Sequence, residues 1–319
     1  MTPDLHKGFT QRFIKTCKIP EEFRVKQDVL PTEYERYLNY YRTQVRSKRT
    51  VQGVWRILSG FDIYLQKSNI SLYKISIEQV DHFLGHYNKN YASVSCRIHR
   101  SNLRQFLKYL YREGYIKKDL APLVVSPPKF GRSNPPKFLR PKEVEKVFNS
   151  LDISNAKDLR TYAAMHLIYY LGLRPKEISL ITLDDISFKQ KEIFIRSRKN
   201  CSPAHLPLPD DTIKAITAYI VGGRPKTEHR ALFLQLISPY NPVKKENDIT
   251  RSIREHIQKN YPKASTYWLR HSYAQNLLEA GASIFEIKEM MGHKNIESSR
   301  RYLSIHINLM RKIILDEPF

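Results

Sequence analysis

Apolar residues recur at three- and four-residue steps through most of this chain, so helices dominate the expected structure. From Pro31 to about Leu120 the pattern is helical almost throughout. Val51, Val54, Trp55, Leu58, Phe61 and Leu65 fall on one face of a helix. A shorter helix is expected from Ser76 to Tyr87. The clearest one runs from Ala92 to Glu113, with Leu103, Phe106, Leu107 and Leu110 on its apolar face and Gly114 as its stop. Residues 1–30 carry no firm periodicity and read as a flexible arm or a short helix. Ser126-Pro127-Pro128 and Asn134-Pro135-Pro136 then bracket a basic stretch. Paired prolines exclude helix and favour extended chain, so residues 121–138 read as a linker.

Beyond the linker, helices are expected near Lys142 to Leu151 and from Asp158 to Leu171, the second ending at Gly172. Lys191 to Arg198 alternates between turn signals and reads as a strand with a partner on either side. Asp211 to Val221 is helical again, and several helices follow to the end. The expected fold class is therefore mainly α with a small antiparallel β-sheet. It divides into an extension (1–30), a helical domain (31–120), the linker (121–138) and an α+β domain (139–319). No internal repeat is evident.

Charge changes the picture. The 319 residues include 54 Lys and Arg against 31 Asp and Glu, a formal net charge of +23. Such a balance points to a polyanionic partner, of which nucleic acid is the commonest. Arg97, Arg100, Arg104, Lys108 and Arg112 recur along the polar face of the Ala92–Glu113 segment, without acidic residues at helical spacing within the stripe. A solvated helix face is the plainer reading; a stripe tracking a DNA backbone is the one favoured here. The three cysteines, Cys17, Cys96 and Cys201, show no metal-ligand spacing and suit a reducing cytoplasm. The start carries no signal-peptide pattern, and the longest apolar run is too short to span a bilayer, so no membrane role is expected.

The candidate chemistry is concentrated near the C-terminus. Tyr267-Trp268-Leu269-Arg270-His271, Met291-Gly292-His293 and Arg300-Arg301-Tyr302 follow one another there, and Gly172-Leu173-Arg174-Pro175-Lys176-Glu177 lies upstream. A phosphodiester repels nucleophiles. Cleaving it without a metal takes cationic forked donors for the nonbridging oxygens, a nucleophile, and an acid for the leaving oxygen. Arg174 and Arg270 suit the clamp, because guanidinium stays charged and pairs bidentately with phosphate. Tyr302 suits the nucleophile, its phenol activated by that positive charge. Each residue also has a plain reading: Arg-His on a helix as a surface pair, His293 in a helix-end turn, Tyr302 as one of 20 tyrosines. Order and spacing together favour the chemistry.

In those three motifs, and over roughly residues 31–312, the chain resembles the tyrosine recombinases of the phage-integrase family, the group that includes Cre and the Xer recombinases. The resemblance implies that Arg174 and Arg270 bind the scissile phosphate and that His293 contacts a nonbridging oxygen. Tyr302 would form a 3′-phosphotyrosine, and Glu177 would be an acidic supporting residue. Lys199, eight residues before Pro207 in Leu206-Pro207-Leu208, would protonate the leaving 5′-oxygen; Arg198 beside it is too weak an acid. His271 is expected to support the site from behind. One position departs from the family: Tyr267 stands where histidine or lysine is usual, three residues before Arg270. Tyrosine is a poor base near neutral pH, so slower chemistry is expected.

The resemblance further implies site-specific DNA recombination without metal or cofactor. The partner is double-stranded DNA, enclosed by the two domains, with a homotetramer assembled on two sites. The apolar tail from Ile305 to Leu315 would dock on a neighbouring subunit, and accessory DNA-bending proteins or partner recombinases are further expected partners. The extension is too short for a separate arm-binding domain. An integrase or transposase of a mobile element is the favoured role. The rivals are a chromosome-dimer resolvase of Xer type, a telomere resolvase, a type IB topoisomerase-like enzyme, and a non-catalytic DNA-binding protein on the same fold.

Overall fold

The computed structural model describes residues 23, 30–44, 47–126, 136–196, 198, 203–243, 246–293, 296, 298–299 and 302. Most of the 1–30 extension, the proline-rich centre of the linker, Lys199, Arg300, Arg301 and the 305–315 tail lie outside the described residues. The chain forms two compact units that divide between Gly131 and Arg132.

Among the described residues, the first unit holds four α-helices: α1 (Thr32–Thr43), α2 (Lys48–Lys67), α3 (Ile77–Asn88) and α4 (Ser93–Arg112). Local chemistry sets their starts. The Ser47 hydroxyl accepts from the Thr50 N–H at 3.2 Å to open α2, and the Gln79 side chain accepts from the Ser76 N–H at 2.9 Å to open α3. Gly114 ends α4 at φ 75°, a left-handed conformation suited to glycine. The stripe predicted on α2 is buried at Val54, Leu58, Phe61 and Leu65, and meets Leu103, Phe106, Leu107 and Leu110 of α4 in one core.

The second unit is built around α6 (Ala156–Leu171), which is buried on nearly all sides. Before it comes α5 (Pro141–Asn149). After it come the single turn α7 (Pro175–Ile178), strands β1 (Ile186–Ser187), β2 (Glu192–Ile195) and β3 (Ala204–Pro207), then α8 (Asp210–Gly222), α9 (Glu246–Asn260), α10 (Tyr267–Glu279) and α11 (Ile284–Met290). The sheet is antiparallel with β2 in the middle, as the alternation predicts; Ile193 opposes Ile186 on one side and Leu206 on the other. Ile193 and Ile195 enter the core, while Glu192 and Phe194 are half-buried. Helices α8, α9 and α10 all pack on α6.

Two connections place the site. Asn155 caps α6 by accepting from the Asp158 N–H at 2.8 Å, and Gly172 ends the helix at φ 63°. A Cβ at Gly172 would collide with the Tyr273 ring, so glycine lets α10 approach the end of α6. Ser272 then ties α10 to the segment that enters the unit: its hydroxyl accepts from the Leu139 N–H at 2.9 Å and donates to the Leu139 carbonyl at 2.7 Å.

Candidate active site

Arg174 follows the Gly172 turn and starts α7. Its backbone N–H is capped by Glu177 Oε2 at 2.8 Å, and its Nη1 pairs with Glu177 Oε1 at 2.7 Å. Pro175 at the first helical position suits this start. Glu177 is buried, and its Oε2 also lies 4.0 Å from Arg270 Nη1. One carboxylate thus offsets the repulsion between two guanidinium groups.

Arg270 enters from the first turn of α10 and is only 3% exposed. It donates to the Gly172 carbonyl and, at 2.5 Å, to the Met291 carbonyl. Burial and the neighbouring Arg174 charge push its pKa down to about 10, against the pull of Glu177 and Tyr302 in the other direction. It remains a cation at neutral pH.

A third arginine joins them. Arg198 Nη2 donates to the Met290 carbonyl at 2.6 Å, Arg270 to Met291, and Arg174 Nη2 to the Gly292 carbonyl at 2.9 Å. Three successive carbonyls at the end of α11 are thereby held by three guanidinium groups. Helix C-termini carry unpaired carbonyls and partial negative charge, so cations are favoured there. The next residue is His293. Its Nδ1 lies 2.8 Å from the Ser299 hydroxyl and its Nε2 3.4 Å from Arg270 Nη2. Arginine can only donate, so Nε2 carries the lone pair and Nδ1–H faces Ser299. Burial first, and the charges of Arg270 and Arg174 next, push the His293 pKa down to about 4. The ring is therefore neutral near pH 7.

Tyr302 is 2% exposed and sits among Ala274, Leu278, Ile287 and Met291. Its hydroxyl lies 2.7 Å from His271 Nδ1. His271, expected only as support, thus touches the expected nucleophile itself. Tyr267, at the first position of α10, is 47% exposed. It borders a pocket of ≈ 380 Å³ with Pro175, Thr250, Arg251, Arg254, Ser265 and Thr266. The two arginines of that pocket carried no signal in the sequence beyond their charge.

The predicted basic stripe on α4 divides. Arg97 and Arg100 are half-exposed and Lys108 is exposed, with no hydrogen bond or ion pair of theirs among the described residues. Arg104 instead turns back into its own unit, where Nε donates to the Val124 carbonyl at 3.0 Å. Arg112 pairs with Glu113 at 2.9 Å and lies 4.7 Å from the centre of the Tyr40 ring. No acidic residue stands at helical spacing within the stripe, yet the adjacent Glu113 supplies a partner for Arg112, because long side chains at a helix end reach each other without helical spacing. Lys199, the expected acid, is outside the described residues.

Family profiles match both units. That of the phage integrase family covers residues 137–308, and that of the phage integrase N-terminal SAM-like domain covers residues 34–114. The chain belongs to the phage integrase family, as its motifs lead one to expect. It is 26% identical over 309 residues to a candidate integrase/recombinase of Sinorhizobium fredii, y4rA, covering 94% of this chain and 75% of that one. It is 28% identical over 291 residues to tyrosine recombinase XerD of Staphylococcus epidermidis, covering 88% and 97%. Its fold is similar to that of the XerH site-specific recombinase bound to palindromic difH substrate in a post-cleavage complex. There the TM-score is 0.68 at 17% identity, over 88% of this chain and 84% of the other.

Proposed function

We propose that this protein is a site-specific DNA recombinase that cuts and rejoins strands through a 3′-phosphotyrosine on Tyr302. The observation that carries the reading is that Arg174 and Arg270 bind the carbonyls of the turn that follows α11, that this turn leads into His293, and that Tyr302 lies in the small core containing Met291 of the same turn. In this reading Arg174 and Arg270 pair with the nonbridging oxygens, and His293 adds a hydrogen bond by carrying its proton on Nε2 once DNA is bound, the Ser299 hydroxyl then donating to Nδ1. Their charge stabilises the five-coordinate phosphorus more than the ground state, which is the source of rate. The Tyr302 oxygen forms the bond to phosphorus, the 5′-oxygen leaves, and Lys199 protonates it. A 5′-hydroxyl from a partner strand then reverses the step, so bond energy is conserved.

The same reading extends to the substrate and assembly. The protein acts on double-stranded DNA as a homotetramer on two sites, with Arg97, Arg100 and Lys108 on the backbone. It works in the cytoplasm, and its role is integration or transposition of a mobile element. The putting together of DNA, charge and site is supported by the +23 balance.

The test uses a duplex selected by the protein from random DNA and then nicked near the cleavage position, which traps the covalent intermediate. Wild type should give a denaturant-resistant protein–DNA adduct, and Tyr302→Phe should give none while binding DNA as tightly. Tight binding by wild type with no adduct on any nicked site would reduce the protein to a DNA binder on the same fold. Supercoil relaxation without strand exchange would indicate a topoisomerase, and hairpin ends a telomere resolvase.

A further inference from the structure

Three residues of α10 share one helical face: Tyr267, Arg270 and His271, spaced by three and four positions. Tyr267 occupies the place where an imidazole or amine is expected, yet it is 47% exposed and has no hydrogen bond to Tyr302 among the described residues. One turn further along the same face, His271 Nδ1 meets the Tyr302 hydroxyl at 2.7 Å, with ring centres 5.8 Å apart. The other imidazole of the site is engaged elsewhere, because His293 is bracketed by Ser299 and Arg270.

We propose that His271 is a catalytic residue of this chain, the general base that takes the phenolic proton of Tyr302. The inference rests on the recombinase reading above. With the proton on Nε2, the lone pair of Nδ1 faces the phenol. As the Tyr302 oxygen forms its bond to phosphorus, the O–H bond breaks and the proton passes to Nδ1. The phosphorus–O5′ bond breaks, its electron pair stays on O5′, and the acid of the site protonates that oxygen. On rejoining, the 5′-hydroxyl attacks phosphorus and gives its proton back to the group that had protonated O5′; the phosphorus–Tyr302 bond breaks, its electron pair stays on the phenolic oxygen, and the His271 imidazolium returns its proton there. The imidazole missing at position 267 is thus supplied one helical turn away. A neutral imidazole is a far better acceptor near pH 7 than a second phenol.

Single-turnover adduct formation distinguishes this role from a structural one. His271→Asn keeps an acceptor of similar reach but cannot carry the proton. It should slow adduct formation about 100-fold or more, since positioned general bases contribute about 10²–10⁴-fold. DNA affinity and unfolding midpoint should stay near wild type, and His271→Gln serves as a second variant should the first unfold. The rate should remain slow on DNA whose 5′-bridging oxygen is sulfur, because thiolate leaves without an acid while the phenol still needs a base. His271→Asn or His271→Gln cleaving within about threefold of wild type, below the range for a lost general base, would overturn the proposal. So would rescue by sulfur, which would place His271 on the leaving group. Either result leaves the recombinase reading standing if wild type forms the adduct; absence of the wild-type adduct on both substrates would remove both.

Discussion

The Arg198 guanidinium fills the space that a side chain at Gly292 would need: a Cβ built there lies 2.8 Å from Arg198 Cζ and 2.9 Å from its Nε. Gly292 also has φ 59°, so two independent constraints demand glycine just before His293. Through this contact the segment after β2 is locked to the turn that presents the histidine.

Gly292→Ala should therefore weaken both fold and function. The left-handed conformation costs about 1–2 kcal/mol in a residue with a Cβ. Displacement of the His293 turn should slow adduct formation by about 100-fold, as an ångström-scale misplacement of reacting groups does. In an Arg198→Ala background the same substitution should cost less unfolding free energy, because the clash is gone. Equal costs in the two backgrounds, from denaturant unfolding of all four proteins, would show that the contact carries no coupling.

Glu177 is the anion between Arg174 and Arg270, at 2.7 and 4.0 Å. Glu177→Ala leaves two close cations, one of them buried, without their counter-charge. A loss of about 3–5 kcal/mol of stability is expected from breaking a buried pair on one side. Glu177→Gln keeps an acceptor and should cost less. Urea titration of the three proteins checks the order, and a loss near zero for Glu177→Ala would mean the backbone carbonyls alone hold the arginines.

His166, in the middle of α6, is packed against Phe148, Tyr162 and Tyr170, and its Nδ1 finds no partner among the described residues. Burial pushes its pKa down to about 4, below the ordinary 6.5. The fold thus prefers the neutral ring. That preference is fully met above about pH 6.5 and becomes a growing penalty as pH falls towards about 4, where the folded protein must accept the proton. His166→Phe should lose less of its unfolding midpoint than wild type between about pH 7.5 and about pH 5. His293 is depressed in the same direction and is present in both proteins, so the difference reports on His166.

Members of the α4 stripe should behave differently from one another. Arg97→Ala and Arg100→Ala should each weaken DNA binding and reduce its salt slope by about one charge, as loss of a phosphate contact does. Arg104→Ala should mainly lower stability, by about 1.5–3 kcal/mol, because its guanidinium is bonded to the carbonyl of buried Val124. Binding at several salt concentrations, alongside thermal unfolding, separates the two behaviours. An Arg104→Ala protein of normal stability with a reduced salt slope would return Arg104 to the DNA.

Periodicity alone announced the longer helices up to residue 221 and a strand with a partner on either side, because burial on one face imposes a repeat that the chain itself displays; the single turn α7 carries no such repeat. Motif order and spacing likewise singled out two arginines, a histidine and a tyrosine as candidates, since residue types carry their chemistry wherever the fold puts them. Only the tertiary structure decided how those residues meet. That three guanidinium groups share three successive carbonyls, that Arg104 serves its own unit, and that His271 reaches Tyr302 across 31 positions are consequences of packing between distant segments. A helical face announces that it will be covered; it does not say by what. The His271 imidazole lies against the Tyr302 hydroxyl because α10 and the segment bearing Tyr302 close on the same small core.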